Sequence, residues 1–127
     1  MREFKTVHLS QTPVYAPDGS EIRELGSLNR ASMAHCTLHP GQMSKAVKHK
    51  TVEEVWYFIQ GQGQVYRKQG EWVEITEVTP GISVTIPTGT HFQFRNTGDG
   101  PLCFIIATMP PWPGADEAVA VDDYWVT

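Results

Sequence analysis

The sequence has 127 residues, the length of one domain, and its 40% hydrophobic residues are enough for a single core. Nine prolines and eleven glycines along the whole chain exclude long helices and favour short strands with many turns. The net charge of −4 and two short basic clusters, at 48–50 and 67–68, give no basic stripe. We therefore expect no nucleic-acid partner.

Strand and turn signals alternate along the chain. Asp18-Gly19 separates two short segments and predicts a hairpin. Segments with aromatic, β-branched or alternating residues then predict strands at 32–38, 53–59, 64–67, 72–75, 82–86, 90–95 and 101–108. The segment "MPPWPG" at 109–114 ends this pattern, and the tail after it is predicted to be loop. Short strands joined by tight turns predict an all-β, antiparallel barrel or sandwich.

Two further features concern the cell compartment. Cys36 and Cys103 lie in apolar stretches, which predicts two buried thiols in a reducing compartment. Residues 1–10 lack the apolar core of a signal peptide, and the apolar run 102–107 is too short to cross a bilayer. We therefore expect a cytoplasmic protein with no membrane partner.

The first of two spaced motifs surrounds residues 41–61. Gly41 is followed after five residues by Val47-Lys48-His49, then by Glu54 and, six residues later, by Gly61. This spacing resembles the first motif of the cupin family, in which a glycine precedes His-x-His, a glutamate and a second glycine. Val47 takes the place of the first histidine.

The second motif surrounds residues 81–96. It resembles the family's second motif, which has a glycine, Pro-x-Gly, a histidine and an asparagine. Its glycine, Pro-x-Gly and asparagine positions are matched by Gly81, Pro87, Gly89 and Asn96. Phe92 stands at the histidine position, and His91 lies one place earlier.

The resemblance implies a jelly-roll barrel over residues 30–108. Residues 1–29 then form N-terminal strands or an arm, and residues 109–127 form a C-terminal loop or tail packed on the barrel or on a partner subunit, all within one domain. It also implies one divalent metal ion, of Fe, Mn, Ni or Zn type, and a homodimer.

Side-chain alternation predicts which residues face the barrel interior. Successive side chains on a strand point to opposite faces. If Glu54 points inward, Trp56 and Phe58 do so too. The predicted lining is an apolar pocket with one imidazole and one carboxylate, formed by Val47, His49, Glu54, Trp56, Phe58, Phe92 and Phe94.

Two interpretations of this pocket remain open. In one, a bulge after Gly89 turns His91 inward, so that His49, Glu54 and His91 hold a divalent metal. In the other, His49 and Glu54 work without metal, by holding a polar group of a ligand or as general acid and base. His35 is a further candidate for the interior.

These patterns favour a protein that binds a small organic molecule around His49 and Glu54. The alternative is a metal-dependent enzyme of dioxygenase, isomerase, lyase or cyclase type that uses His49, Glu54 and His91. The sequence specifies neither the ligand nor a reaction.

Overall fold

The computed structural model describes residues 3–126 of the chain. Within this range it contains eleven β-strands in two antiparallel sheets and a single 3-10 helix, Ala115–Glu117. Residues 1, 2 and 127, the ends of the predicted N-terminal arm and C-terminal tail, lie outside the described residues. The predicted all-β fold is confirmed.

The two sheets divide the strands as follows. The six-stranded sheet contains, in spatial order, β1 (Val14–Tyr15), β2 (Glu21–Ser27), β3 (Ser32–Leu38), β10 (Leu102–Met109), β5 (Glu53–Gln60) and β8 (Ser83–Ile86). The five-stranded sheet contains β11 (Ala118–Ala120), β4 (Val47–His49), β9 (His91–Asn96), β6 (Gly63–Gln69) and β7 (Trp72–Val78). Every pairing between named strands is antiparallel.

Alternating burial along β5 explains how the sheets meet. Glu54, Trp56 and Phe58 are buried, whereas Val55 and Tyr57 between them are exposed. This is the period of two that a strand with one packed face requires. The largest side chains buried between the sheets are aromatic or aliphatic: Trp56, Phe58, Phe92, Phe94, Phe104, Leu38, Ile86 and Leu102.

The turn between β5 and β6 requires glycine at position 61. Gly61 has a φ of +88°, and a Cβ there would lie 2.3 Å from the carbonyl oxygen of Pro101. No side chain fits that approach, and most residues are strained at this φ. The glycine therefore allows the chain to turn tightly against the segment that enters β10.

The C-terminal segment differs from its prediction. Residues after 114 were predicted to be loop, but they form the 3-10 helix and β11, which pairs with β4. The small residues Ala118 and Ala120 have little strand propensity, so the pairing itself holds this strand. The tail then crosses the outer face of the five-stranded sheet, where Tyr124 stacks on Tyr66 with the rings 4.5 Å apart.

Membrane insertion by a helix finds no support in the described part of the chain. No helix there combines the length and the apolar character that a bilayer span needs.

Candidate functional site

A cavity of about 270 Å³ lies between the two sheets. Its polar groups come from both sheets and from the β1–β2 hairpin, and aromatic rings form much of its wall. The lining residues that matter most here are His49, Glu54, Trp56, Phe92, Phe94 and Trp112. Both His49 and Glu54, predicted from the sequence, therefore face the same cavity.

His49 and Glu54 are placed by two strands joined by a short turn. Val47 and His49 on β4 are buried, and Glu54 is the second residue of β5. The turn is fixed from outside by Glu117, which accepts hydrogen bonds from the backbone N–H groups of Thr51 (2.5 Å) and Val52 (2.8 Å). Glu117 therefore holds the turn that joins β4 to β5.

Glu54 is a buried carboxyl group held by two neutral donors. The indole Nε1–H of Trp56 donates to Oε1 at 3.0 Å, and the hydroxyl of Thr108 donates to Oε2 at 2.6 Å. Burial raises the pKa of Glu54 above its ordinary value, although these two hydrogen bonds oppose the shift. The carboxyl group is thus fixed in orientation and costly to ionise.

His49 has a buried nitrogen without a partner. Its Nδ1 lies 3.9 Å from Oε1 of Glu54, too far for a hydrogen bond, and no other group in the described structure bonds to it. The rings of Phe92 and Trp112 contact the imidazole edge to face, at 5.1 and 5.2 Å between centroids. Burial lowers the pKa of His49 to about 4, with Glu117 opposing, so the imidazole is neutral near pH 7.

Three cavity residues were not among the predicted site residues. Asp18, singled out only as a turn residue, lines the cavity and accepts two hydrogen bonds from Ser20, while burial raises its pKa. Cys36 was predicted to be buried but not to line a site; burial and the nearby Asp18 raise the pKa of its thiol, which stays protonated. Trp112 reaches the cavity from the proline-rich segment after β10, where an aromatic residue was the available signal.

Three residues predicted for the site do not line the cavity. Phe58 is buried in the core beyond its wall. His35 lies on the opposite face of β3 from Cys36, beside Arg23 of β2. His91 pairs with Lys68, and β6 and β9 are in register residue by residue from there to Asn96. His91 begins this regular pairing and does not line the cavity, so the described geometry does not bring it to His49 and Glu54.

A family model for the cupin domain matches residues 34–108, more than half of the chain. The chain belongs to the cupin family. An uncharacterized protein of Methanocaldococcus jannaschii, MJ1618, is 29% identical over 124 residues, covering 94% of this chain and 96% of its own.

Solved structures support the cupin fold. The capsular polysaccharide assembling protein CapF from Staphylococcus aureus superposes with a TM-score of 0.73 at 17% identity, covering 82% of this chain. A deletion mutant of oxalate decarboxylase OxdC from Bacillus subtilis gives 0.72 at 20% identity, covering 87% of this chain. This cupin spans about a third of the length of each, 32% and 30%, so the likeness concerns the fold of one domain.

The donor set of this cupin does not fit the divalent metal that the family resemblance implied. A catalytic metal usually takes three protein ligands. Val47 and Phe92 offer no donor atom, and His91 lies outside the cavity. Within residues 3–126, no group of three His, Cys, Asp or Glu side chains is arranged to hold a metal ion.

Proposed function

We propose that this cupin binds a small organic molecule in the cavity between its sheets. One observation carries the proposal: Nδ1 of His49 is buried without a partner 3.9 Å from Oε1 of Glu54, and both residues line a largely apolar cavity. Buried polar atoms are nearly always hydrogen-bonded, and an unpaired one costs about 1–3 kcal/mol. A ligand that supplies the partner recovers that free energy.

The spacing of the two polar groups suits a single ligand atom. Nδ1 of His49 and Oε1 of Glu54 are 3.9 Å apart, so one atom can lie within hydrogen-bonding distance of both. The surrounding rings of Trp56, Phe92 and Trp112 supply apolar contact for the rest of the molecule. The cavity volume of about 270 Å³ restricts the ligand to a small molecule.

A fragment screen by NMR tests the proposal, with the indole N–H signals of Trp56 and Trp112 as reporters. We expect Ala34→Phe, which projects into the cavity, to abolish the shifts that bound fragments cause. Ala120→Phe is the matched control, because Ala120 is an exposed strand residue of the other sheet and does not line the cavity. Fragments that still shift both indoles in Ala34→Phe, or no fragment shifting either, contradict the proposal.

Proton transfer without metal is the second candidate. Burial shifts the two pKa values in opposite directions, down for His49 and up for Glu54. A neutral imidazole beside a protonatable carboxyl group is the arrangement a general base and acid require. Incorporation of solvent deuterium into a bound fragment, lost in Glu54→Gln, supports it; equal incorporation in both proteins contradicts it.

Metal content separates both candidates from a metal-dependent enzyme. We expect substoichiometric metal in protein purified without added metal, and a Tm that chelators do not change. One equivalent of tightly bound metal, lost together with His49 in His49→Leu, contradicts the metal-free proposals.

We also propose that the protein forms a homodimer through the outer face of its six-stranded sheet. Four large apolar side chains are exposed there: Met33, Val55, Tyr57 and Ile59. Contiguous exposed apolar surface of this kind is typical of protein interfaces. We expect light scattering to give the dimer mass for the wild type and for Trp72→Lys on the other sheet, and the monomer mass for Tyr57→Lys. A monomeric wild type contradicts the proposal.

A cytoplasmic location remains part of the proposal. Cys36 and Cys103 are free and buried, and they lie on opposite faces of neighbouring strands, so they cannot form a disulfide without backbone movement. Free thiols of this kind are typical of a reducing compartment.

A further inference from the structure

The acidic side chains that line the cavity have no basic side chain beside them except His49. They are Asp18, Glu24 and Glu54, and the described lining residues include no lysine or arginine. Asp18 is close enough to Glu54 to contribute to the raised pKa of that group. An anionic ligand would therefore meet like charges and no cationic partner.

Glu54 in particular has no counter-charge. Its side chain is 6% exposed, and its two hydrogen bonds come from the neutral donors Trp56 and Thr108. The nearest group that can carry a positive charge is the imidazole of His49, which burial keeps neutral near pH 7. Burial makes Glu54 costly to ionise, and a positive charge beside it favours the carboxylate form. In this cavity the protein does not supply that charge.

The unpaired nitrogen of His49 indicates what the missing partner must offer. When the proton of the neutral ring is on Nε2, Nδ1 is a buried acceptor 3.9 Å from the acceptor Oε1 of Glu54. Two acceptors at that distance match one donor group placed between them. The rings of Trp56, Phe92 and Trp112 line the adjacent wall, and aromatic rings attract organic cations.

We propose that the cavity takes a small organic cation, a protonated amine on a short apolar body, with its ammonium group between Oε1 of Glu54 and Nδ1 of His49. The inference rests on the proposed binding function and adds the charge of the ligand. A metal ion does not meet the same need, because the third ligand is absent from the described donor set. The ammonium group brings its own hydrogen-bond donors and an apolar body that fits the aromatic wall.

Three probes of matched shape test the charge: benzylamine, benzyl alcohol and benzoate. Each is titrated into the wild-type protein near pH 7 while the indole signals of Trp56 and Trp112 are followed by NMR. We expect benzylamine to bind about tenfold more tightly than benzyl alcohol, since a charge-assisted hydrogen bond exceeds a neutral one by about that factor. We expect benzoate to bind most weakly.

Two variants assign the preference to the buried carboxylate. Glu54→Gln keeps the shape of the side chain and removes its charge, so we expect benzylamine to lose its advantage over benzyl alcohol. Glu53→Gln is the matched control, because Glu53 is the exposed neighbour on the same strand, and it should keep the advantage. Asp18→Asn provides a second variant with reduced preference if Glu54→Gln does not fold.

The outcomes separate this inference from the binding function on which it rests. Equal affinities for amine and alcohol, or tighter binding of alcohol or benzoate, overturn the cation and leave small-molecule binding in place. An amine preference that survives both Glu54→Gln and Asp18→Asn also overturns it. If no probe moves either indole signal at millimolar concentration, and the fragment screen is also negative, both proposals fall.

Discussion

Each face of the five-stranded sheet buries a polar side chain, and the two side chains differ in their hydrogen bonds. Gln93 is buried under the C-terminal tail, on the face opposite to Phe92 and Phe94, and His49 is buried at the cavity. The amide of Gln93 donates to the carbonyl oxygens of Ser44 and Trp125 and accepts from the backbone N–H groups of Tyr124 and Trp125, all at 2.9–3.0 Å. Nδ1 of His49 has no such partner in the described structure.

This difference separates a structural polar group from one available for binding. A side-chain amide has two donors and two acceptor positions, and Gln93 uses all four. A fully satisfied buried network stabilises one arrangement of the chain, whereas an unpaired buried atom lowers stability. The comparison predicts that replacing these two residues by leucine has opposite effects on stability.

The largest effect is expected at Gln93. Gln93→Leu leaves two carbonyl oxygens and two N–H groups without partners and releases the tail from the sheet. We expect the free energy of unfolding to fall by about 3 kcal/mol in urea denaturation. Gln62→Leu is the control, because Gln62 is exposed. A loss no larger than that of the control contradicts the role assigned to the amide.

The pH dependence of stability gives the next largest effect. The folded state binds a proton at His49 with a pKa of about 4, against an ordinary value of 6.5. Between these values the unfolded chain binds more protons, so wild-type stability falls as pH drops from 6.5 towards 4. As pH falls through this window, the free energy of unfolding of the wild type should drop by up to about 3 kcal/mol more than that of His49→Leu.

Glu54 and Glu117, the carboxyl groups near His49, are present in both proteins, so their own titration largely cancels in this difference. Urea denaturation of the wild type and of His49→Leu at a series of pH values measures this difference in stability. A difference between the two proteins that is independent of pH shows that His49 is not held neutral by burial.

Glu117 supplies a satisfied carboxylate for comparison with Glu54. Burial opposes its ionisation, but hydrogen bonds from Thr51 and Val52 outweigh this and lower its pKa. The stabilisation is therefore present above the ordinary pKa of glutamate and is lost as pH falls through the lower folded value. We expect Glu117→Gln to cost about 2 kcal/mol at neutral pH.

The exposed neighbour Asp116 provides the control for this prediction, as Asp116→Asn. The difference in free energy of unfolding between the wild type and Glu117→Gln, measured by urea denaturation, should become smaller in acid. A deficit that stays constant down to acid pH, or one matched by the control, contradicts the role given to the ionised carboxylate.

The sequence predicted the strands well because their signals are local. The segment 53–59 has aromatic and β-branched residues in alternation and forms most of β5, and 32–38 coincides with β3. The same alternation placed Glu54 and Trp56 on one face, and the spacing of the first motif placed His49 near them. Fold and the centre of the cavity were therefore predictable from neighbouring residues.

The missed features depend on contacts between distant segments. Asp18 reaches the cavity because a hairpin folds beside it, and Trp112 because the chain returns after β10. An aromatic residue in the proline-rich segment indicates that Trp112 is covered by other parts of the chain, but the neighbouring residues of neither position specify the cavity. The direction of His91 likewise depends on its pairing with Lys68 of β6, which the sequence after Gly89 does not specify.

The smallest expected change in stability is that of His49→Leu, the counterpart of Gln93→Leu. His49→Leu replaces a ring with an unpaired buried nitrogen by an apolar side chain of similar size, against the rings of Phe92 and Trp112. We expect the free energy of unfolding at neutral pH to rise by about 1 kcal/mol, because the cost of the unpaired atom is removed. The variant should also lose its affinity for the benzylamine probe.

A gain in stability with a loss of binding is the signature of a residue kept for its ligand. Urea denaturation and the NMR titration, run on the same preparation, measure the two quantities. If His49→Leu is destabilised as Gln93→Leu is, the imidazole is a structural group. The unpaired nitrogen of His49 is then no evidence that the cavity binds a ligand.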